Sequence, residues 1–391
     1  MQFEQNVHLA YCTNIHRGEN WKETFAGLEL YTLAVKQQIC PDDKPYAIGL
    51  RLSAQAADEL SDPDTLRHFQ QWLKKNNCYV FTINGFPYGS FHDTRVKEQV
   101  YAPDWQTPER LSYTKQLFDL LVQLLPSGVS GSVSTVPCSF KAFIDSDTQV
   151  DAIKSNLLDC VAYIASLSKK HGRDLHLGLE PEPLGYLETT QEVLTFFKSL
   201  HEQSSDSELI HKHLGINYDT CHMAIQYENP AESIELLTSN NIRLSKLHLS
   251  SALKVKPTAS IQRRLQAFVD TVYLHQVIAR SDKNTLIRWE DLDQALALPP
   301  ETIQQHQEWR IHFHVPLHMK PQEGLDTTAD HLLEVLDIWA KNPSICSHLE
   351  FETYTWEVLP QAIKNSSVVS QLTEEYDWCI KALEQRNLSL I

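Results

Sequence analysis

Two hydrophobic rhythms alternate along the chain. Short apolar runs such as YAIGLRLS (46–53), CYVFTING (78–85) and LHLGLE (175–180) have the length and β-branched or aromatic content of buried strands. Between them lie longer stretches in which apolar residues recur every three or four positions, the period of an amphipathic helix. The helical stretches carry start signals: Asp62-Pro63, Thr107-Pro108 and Asn229-Pro230 each place a capping side chain before a proline that pre-orders the first turn. Thr189 with Glu192 forms the pattern of a capping box. The alternation begins near residue 8 and continues past residue 350, and no linker or tandem repeat interrupts it.

Strands alternating with helices predict a parallel sheet covered by helices, and at this length an α/β fold of the (β/α)8 TIM-barrel kind, with residues 1–391 as one domain. The remaining strand candidates are HLAYCT (8–13), GSVSTV (131–136), LGINYD (214–219), LSKLHLSS (244–251), RIHFHVPL (310–317) and HLEFETY (348–354), nine in all where a barrel needs eight. Residues 253–309 break the rhythm and are taken as an insertion. Either LSKLHLSS or RIHFHVPL then lies outside the ring or extends it.

Composition narrows the function classes. Of 391 residues, 42% are hydrophobic and 21% charged, as in ordinary folded proteins. Thirty-four basic against fifty acidic side chains give a net charge of −16, which opposes binding to phosphate backbones, so no nucleic acid is expected as a partner. Eight cysteines stand singly, with no CxxC, as reduced thiols do. The start MQFEQNVHLAYCTN has no apolar leader, and a cytoplasmic protein is expected. Only twelve glycines occur, and neither GxGxxG nor GxxxxGK[ST] is present, which removes the main support for nucleotide-binding folds.

The unusual side chains sit at strand ends, where a barrel of this kind builds its active site. Glu180 ends LHLGLE, Asp219 ends LGINYD, His248 lies late in LSKLHLSS, His314 lies in RIHFHVPL and Glu352 follows HLEF. Taken singly each has an ordinary explanation: a loop acid, a core histidine, or, for Asp219 and His222 in YDTCH, a helix cap. Taken together they form a set of carboxylate oxygens and imidazole nitrogens suited to Mn²⁺, Mg²⁺, Co²⁺ or Zn²⁺. A divalent cation would offset the buried charge of Glu180, and Glu182, two residues on in GLEPEP, faces the same side to meet a substrate. Arg51, ending the second strand candidate, is a candidate to bind an anionic or hydroxylated substrate, with a structural arginine as the alternative. Cys221 is read as a filler and not as a nucleophile.

The segments LGLEPEP, YDTCH, KLHLSS and EFETYTW resemble the strand-end positions of the xylose-isomerase-like TIM barrels. Across nearly its whole length, through HLAYCTNIHRGENW, IGLRLSAQAADEL, GLEPEP, NYDTCH, RIHFHVPLH and HLEFETYTWEVLP, the chain resembles the EboE-type metabolite traffic proteins. The resemblance implies a part in moving or processing a small metabolite destined for export. Proteins of the same operon, including a membrane protein, would be its partners. Carried over position by position, it implies Glu180, Asp219, His248 and Glu352 as metal ligands, with His222 at the substrate. Whether His248 or His314 takes the histidine position stays open.

Three functions are weighed. The first is a metal-dependent isomerase or epimerase with Glu180 and Glu352 transferring protons and Glu182, His222, His314 and Arg51 at the substrate. The second is a carrier that binds a metabolite without turning it over. The third is a hydrolase using the HFH pair, His312 and His314, which in barrel hydrolases belongs to the first strand, whereas here it comes late.

Overall fold

The computed structural model describes residues 1–40, 42, 44–89, 97–322, 324–361, 364 and 367–391. Eight parallel strands form a ring: β2 (Val7–Tyr11), β3 (Tyr46–Arg51), β4 (Cys78–Asn84), β5 (Gly131–Thr135), β6 (Leu175–Leu179), β7 (Leu214–Asp219), β8 (Arg243–Leu249) and β14 (His348–Phe351). A short β1 (Gln2–Phe3) adds antiparallel to β2, giving the sheet order β1-β2-β14-β8-β7-β6-β5-β4-β3. The fold is that of a TIM barrel.

Closure falls between the first and second ring strands, where a parallel bridge joins Cys12 to Gly49. Gly49 is required there: a Cβ would stand 1.9 Å from Glu350 Oε1 and 2.6 Å from the Tyr11 carbonyl oxygen. The missing side chain thus admits both the neighbouring backbone and a buried carboxylate.

The expected helix starts are present. Asp62 accepts from the Thr65 N–H at 2.9 Å to begin helix Pro63–Lys75, Thr107 caps Pro108–Leu124, and Asn229 caps Pro230–Ser239. The Thr189–Glu192 capping box opens Thr190–Gln203 just after Glu180 and Glu182, fixing where the chain turns away from the barrel mouth. All eight cysteines are free and buried. Among the described residues no helix is long and apolar enough to cross a membrane.

The ninth strand candidate lies outside the ring. RIHFHVPL belongs to β12 (His306–His314), the centre of a second sheet with β9 (Ala252–Val255), β10 (Val277–Ser281), β11 (Leu286–Trp289) and β13 (Leu325–Thr327), ordered β11-β10-β12-β9-β13 and antiparallel throughout. The insertion therefore runs from 252 to 327, wider than the expected 253–309. The reason is visible in β12. Trp309, Ile311 and Phe313 alternate into a separate core with Leu253 and Val277, while Gln307, Glu308 and Arg310 meet solvent at least in part. A ring strand, buried on both faces, has no such wet positions. LSKLHLSS supplies β8, in parallel register with β7 and β14.

The inserted sheet follows directly on the C-terminal end of β8 and is tied to the mouth. Arg310 Nη1 donates to the Ala224 carbonyl at 2.6 Å, and the Val315 N–H donates to the Ser251 carbonyl at 2.9 Å.

Candidate metal centre and its cavity

Four ring strands deliver four ligand-type side chains to one place. Glu180 follows β6, Asp219 ends β7, His248 is the sixth residue of β8, and Glu352 follows β14. All four are buried, and one ligand atom from each lies within 4.8 Å of the others. The register explains the meeting: Asp219 is the cross-strand partner of His248, and His248 that of Glu350, so neighbouring side chains point inward at one level.

His248 Nδ1 is surrounded by carboxylate oxygens, with Glu180 Oε1 at 3.1 Å, Asp219 Oδ2 at 3.5 Å and Glu352 Oε2 at 3.6 Å. One proton on that nitrogen cannot satisfy three anions, and Asp219 Oδ2 is buried without a hydrogen-bond partner. A divalent cation among these atoms fits the donor set and removes both deficits. Meanwhile His248 Nε2 stands 2.7 Å from Glu350 Oε2, which also takes Lys246 Nζ at 2.5 Å. Donation from Nε2 to Glu350 leaves a lone pair on Nδ1 for a cation, with Asn217 Nδ2 3.2 Å from the same nitrogen, and a carboxylate on the far ring nitrogen is the arrangement that orients histidines at metal sites.

Asp219 reconciles its two explanations, one on each oxygen. Oδ1 caps helix Thr220–Ile225 by accepting from the His222 N–H at 3.0 Å and from Ser250 Oγ at 2.6 Å, while Oδ2 turns to the cluster. Glu352 Oε1 accepts from Asn14 Nδ2 at 2.7 Å.

Charge is distributed unevenly across the cluster. Burial disfavours the Glu180 carboxylate, but the charge and hydrogen bond of His248 outweigh it and hold the group below its usual value. Asp219 is likewise held well below by His222 and His248 against burial. For Glu352, burial with the charges of Glu180 and Asp219 prevails over His248 and pushes the carboxyl up to about 8. Burial and the charge of Glu180 also raise Glu182 well above the usual range.

The cluster opens into a cavity that is continuous with solvent at the barrel mouth. Glu180, Glu182, His222 and Glu352 line it, with Asn14, Asn84 and Tyr101 from the barrel and Tyr273, Gln276 and His312 from the insertion. Lys97 also faces it, paired with Asp291 of the insertion at 2.5 Å. Glu182 Oε1 is buried and has no hydrogen-bond partner.

The remaining site candidates fall in different places. His222 lines the cavity, and its Nε2 stands 3.4 Å from that of His314. His314 reaches the cluster although it comes from the second sheet, with Nδ1 3.7 Å from Glu352 Oε2. It therefore stands beside the ring histidine, His248, which occupies the position amid the three carboxylates. Arg51 is buried away from the cavity: its guanidinium donates to the carbonyls of Gly18 at 2.7 Å and Gly89 at 2.6 Å and lies 3.7 Å from Glu19.

Sequence reasoning missed Lys246 and Glu350. Each lies two residues before a ligand on the same strand face, K-x-H and E-x-E, and therefore one layer deeper in the barrel. That spacing was the available signal.

The comparisons with known proteins agree on the fold. No protein-family model matches the chain, and no curated protein matches it in sequence. Solved structures of xylose-isomerase-like barrels do match in shape. A xylose isomerase-like TIM barrel protein from Mycobacterium smegmatis in complex with magnesium is 12% identical with a TM-score of 0.52, covering 97% of each chain. An L-ribulose 3-epimerase is 12% identical with a TM-score of 0.50, over 99% of this chain and 96% of its own. A xylose isomerase domain protein from Alicyclobacillus acidocaldarius is 8% identical at 0.50, over 97% of this chain and 99% of its own. The shared feature is the fold: this chain is a TIM barrel, similar in shape to solved xylose-isomerase-like barrels.

Proposed function

We propose that the protein is a divalent-metal-dependent isomerase or epimerase acting on a small polyhydroxylated carbonyl compound. The observation that carries this is the convergence of Glu180, Asp219, His248 and Glu352 at one barrel mouth, on the wall of a cavity, with an orphaned buried oxygen on Asp219. A bound divalent cation would polarise the substrate carbonyl and acidify the adjacent C–H.

The chain's own residues supply the rest. Glu180, at the end of β6 and on the cavity wall, is the base that takes the proton from carbon. Glu352, which follows β14 on the other side of His248 and Asp219 from Glu180, is the group that returns one. Glu182 offers an unpartnered oxygen to a substrate hydroxyl, and His222 offers a ring nitrogen beside it. Tyr273 and Leu274 of the insertion wall the cavity and exclude water from the reacting carbon.

Placement in metabolite traffic of the EboE type, in the cytoplasm and beside a membrane protein, belongs to the same proposal. Its support is the sequence resemblance set out above. The named epimerase neighbour supports the chemical class.

The test is proton exchange. Metal-loaded protein incubated with a panel of ketoses and aldoses in D2O is expected to place deuterium beside the carbonyl of one of them, read by NMR. Glu180→Gln should lower that rate by about 10²–10⁴-fold. A protein that binds metal and sugar tightly, yet exchanges no proton with any compound of the panel, is a carrier, and the proposal fails.

A further inference from the structure

Polarity divides the cavity wall by depth. Asn14, Glu182 and His312 line the cavity and are buried, and each has a polar atom with no hydrogen-bond partner: Asn14 Oδ1, Glu182 Oε1 and His312 Nε2. The tautomer of His312 follows from its neighbour. Gln276 donates from Nε2 to the Pro183 carbonyl at 3.2 Å, so its Oε1 accepts from His312 Nδ1 at 2.6 Å, and His312 Nε2 keeps a lone pair. Asn14 donates through Nδ2 to Glu352 Oε1 at 2.7 Å, which leaves its own Oδ1 as an acceptor. Buried acceptors without donors are costly, and the hydroxyls of a ligand would satisfy them.

The outer wall is the reverse. Phe86, Val100 and Leu274 line the same cavity and are only half-buried, which places them toward its opening. Aromatic rings back them: Phe86 lies against Tyr101 with centroids 5.7 Å apart, and Tyr273 stands edge-on to Tyr354 at 5.3 Å. The polar atoms among these residues are already engaged. Lys97 Nζ is paired with Asp291 at 2.5 Å, both amide atoms of Gln276 are taken, and Tyr101 donates its hydroxyl to the Pro183 carbonyl at 3.4 Å. A hydroxyl placed here would leave water for carbon and gain no partner. An apolar group placed here would cover half-exposed apolar surface and stack on rings.

We infer that the ligand is amphipathic: a hydroxylated carbonyl head joined to an apolar tail about the size of one aromatic ring. The head rests on the isomerase reading given above, whereas the tail is read from the wall alone. A free sugar, with hydroxyls at both ends, would satisfy the deep acceptors and leave its outer hydroxyls against Phe86 and Leu274. A phosphorylated sugar fits less well still. Among the described residues of the wall Lys97 is the one lysine or arginine, and a carboxylate already holds it. Phe86 and Val100 come from the segment after β4, and Leu274 from the insertion, so the inserted sheet and the barrel grip the tail between them.

The test compares two probes that differ only in the tail. Metal-loaded full chain is titrated by calorimetry with D-fructose and with 6-O-benzyl-D-fructose, whose added ring lies at the end remote from the carbonyl. The benzyl ether is expected to bind about 10-fold more tightly or better, the low end for burying one such group. Phe86→Ser and Leu274→Ser, on different elements of the outer wall, should each bring the ratio of the two affinities toward one. Both positions are half-buried, and urea unfolding checks each variant, so that a poorly folded one leaves the other to decide. Equal affinities in the wild type, no binding of the benzyl ether, or a ratio unchanged in the folded variants overturns the inference. Deuterium exchange into the same two compounds is read separately. A tail-dependent affinity without exchange ends the isomerase reading and leaves the tail site standing.

Discussion

The floor histidines and the ring histidine at the mouth are all buried, with opposite results. At the floor, His8 on β2, His176 on β6 and His348 on β14 stand together, with ring centroids 5.2 Å apart for His176 and His348 and 6.4 Å for His8 and His348. Their partners are hydroxyls: Tyr79 for His8 at 2.8 Å, and Ser132 and Ser130 for His348 at 2.8 and 2.9 Å. At the mouth, His248 is equally buried but ringed by carboxylates. Burial pushes His8 down to about 3 and His176 and His348 well below their usual value. At His248 the same burial is overcome by Glu180 and Glu352, and the group rises well above it. Histidine in a barrel core is therefore not a sign of chemistry. The carboxylates that converge on it are.

Removing that convergence should give the largest effect on metal binding. Asp219→Ala takes away the orphaned oxygen and one bridge to His248, and is expected to abolish metal-induced stabilisation. Wild-type protein at a metal concentration about 100 times Kd should gain about 2.7 kcal/mol, read as a rise in Tm, and the variant should gain nothing. A full shift in the variant would detach the cluster from metal binding. Next in size is Lys246→Met, which strands Glu350 in the layer between mouth and floor. Breaking one partner of a buried pair costs about 3–5 kcal/mol, and the loosened His248 should weaken metal binding by about 10–100-fold. Urea unfolding and calorimetric titration read the two effects separately. Stability lost without any change in metal affinity would make the Lys246–Glu350 pair structural only.

Much of this contrast was legible in the residues. Glu180, Asp219 and Glu352 end apolar runs, where acids are rare, and a barrel puts such ends at one rim. The helix caps were legible because proline and the capping side chain act within one turn. What was hidden depends on contacts distant in sequence. Lys246 and Glu350 meet across 104 residues, and nothing local marks either as paired. RIHFHVPL has the length and apolar content of a ring strand, and its pairing with β9 and β10 assigns it to the second sheet. His314 reaches the mouth by another route than the expected one. It is not on a ring strand, yet the insertion folds it back over Glu352.

The floor gives a smaller and pH-dependent effect. His176 is neutral in the fold because burial depresses its pKa, whereas in the unfolded chain it titrates near 6.5. The sign follows: its contribution to stability is whole above about pH 6.5 and is lost as pH falls toward the depressed folded value. Each pH unit in that window costs up to about 1.4 kcal/mol for this one group. Metal-free His176→Leu should therefore show a shallower fall in stability than wild type between pH 6.5 and 5, by about that slope. Comparing the two proteins cancels the carboxyl groups at the mouth, which titrate in both. Equal slopes would show that His176 is protonated in the fold, and the contrast between floor and mouth would fail.

Arg51 should give the smallest effect, and it probes the boundary of the mouth. Its guanidinium holds the Gly18 and Gly89 carbonyls together and lies beside Glu19, so it organises the loops after β2 and β4 and does not face the cavity. Arg51→Lys keeps the charge and loses the fork that reaches both carbonyls. A loss of about 1.5 kcal/mol in stability is expected, the low end for one lost hydrogen bond from a charged donor. Metal affinity should not change, since none of the four clustered ligands touches this side chain among the described contacts. A variant of normal stability that binds sugar more than 10-fold more weakly would return Arg51 to the substrate. The rim of the site would then extend past Asn14 to the start of the first ring helices.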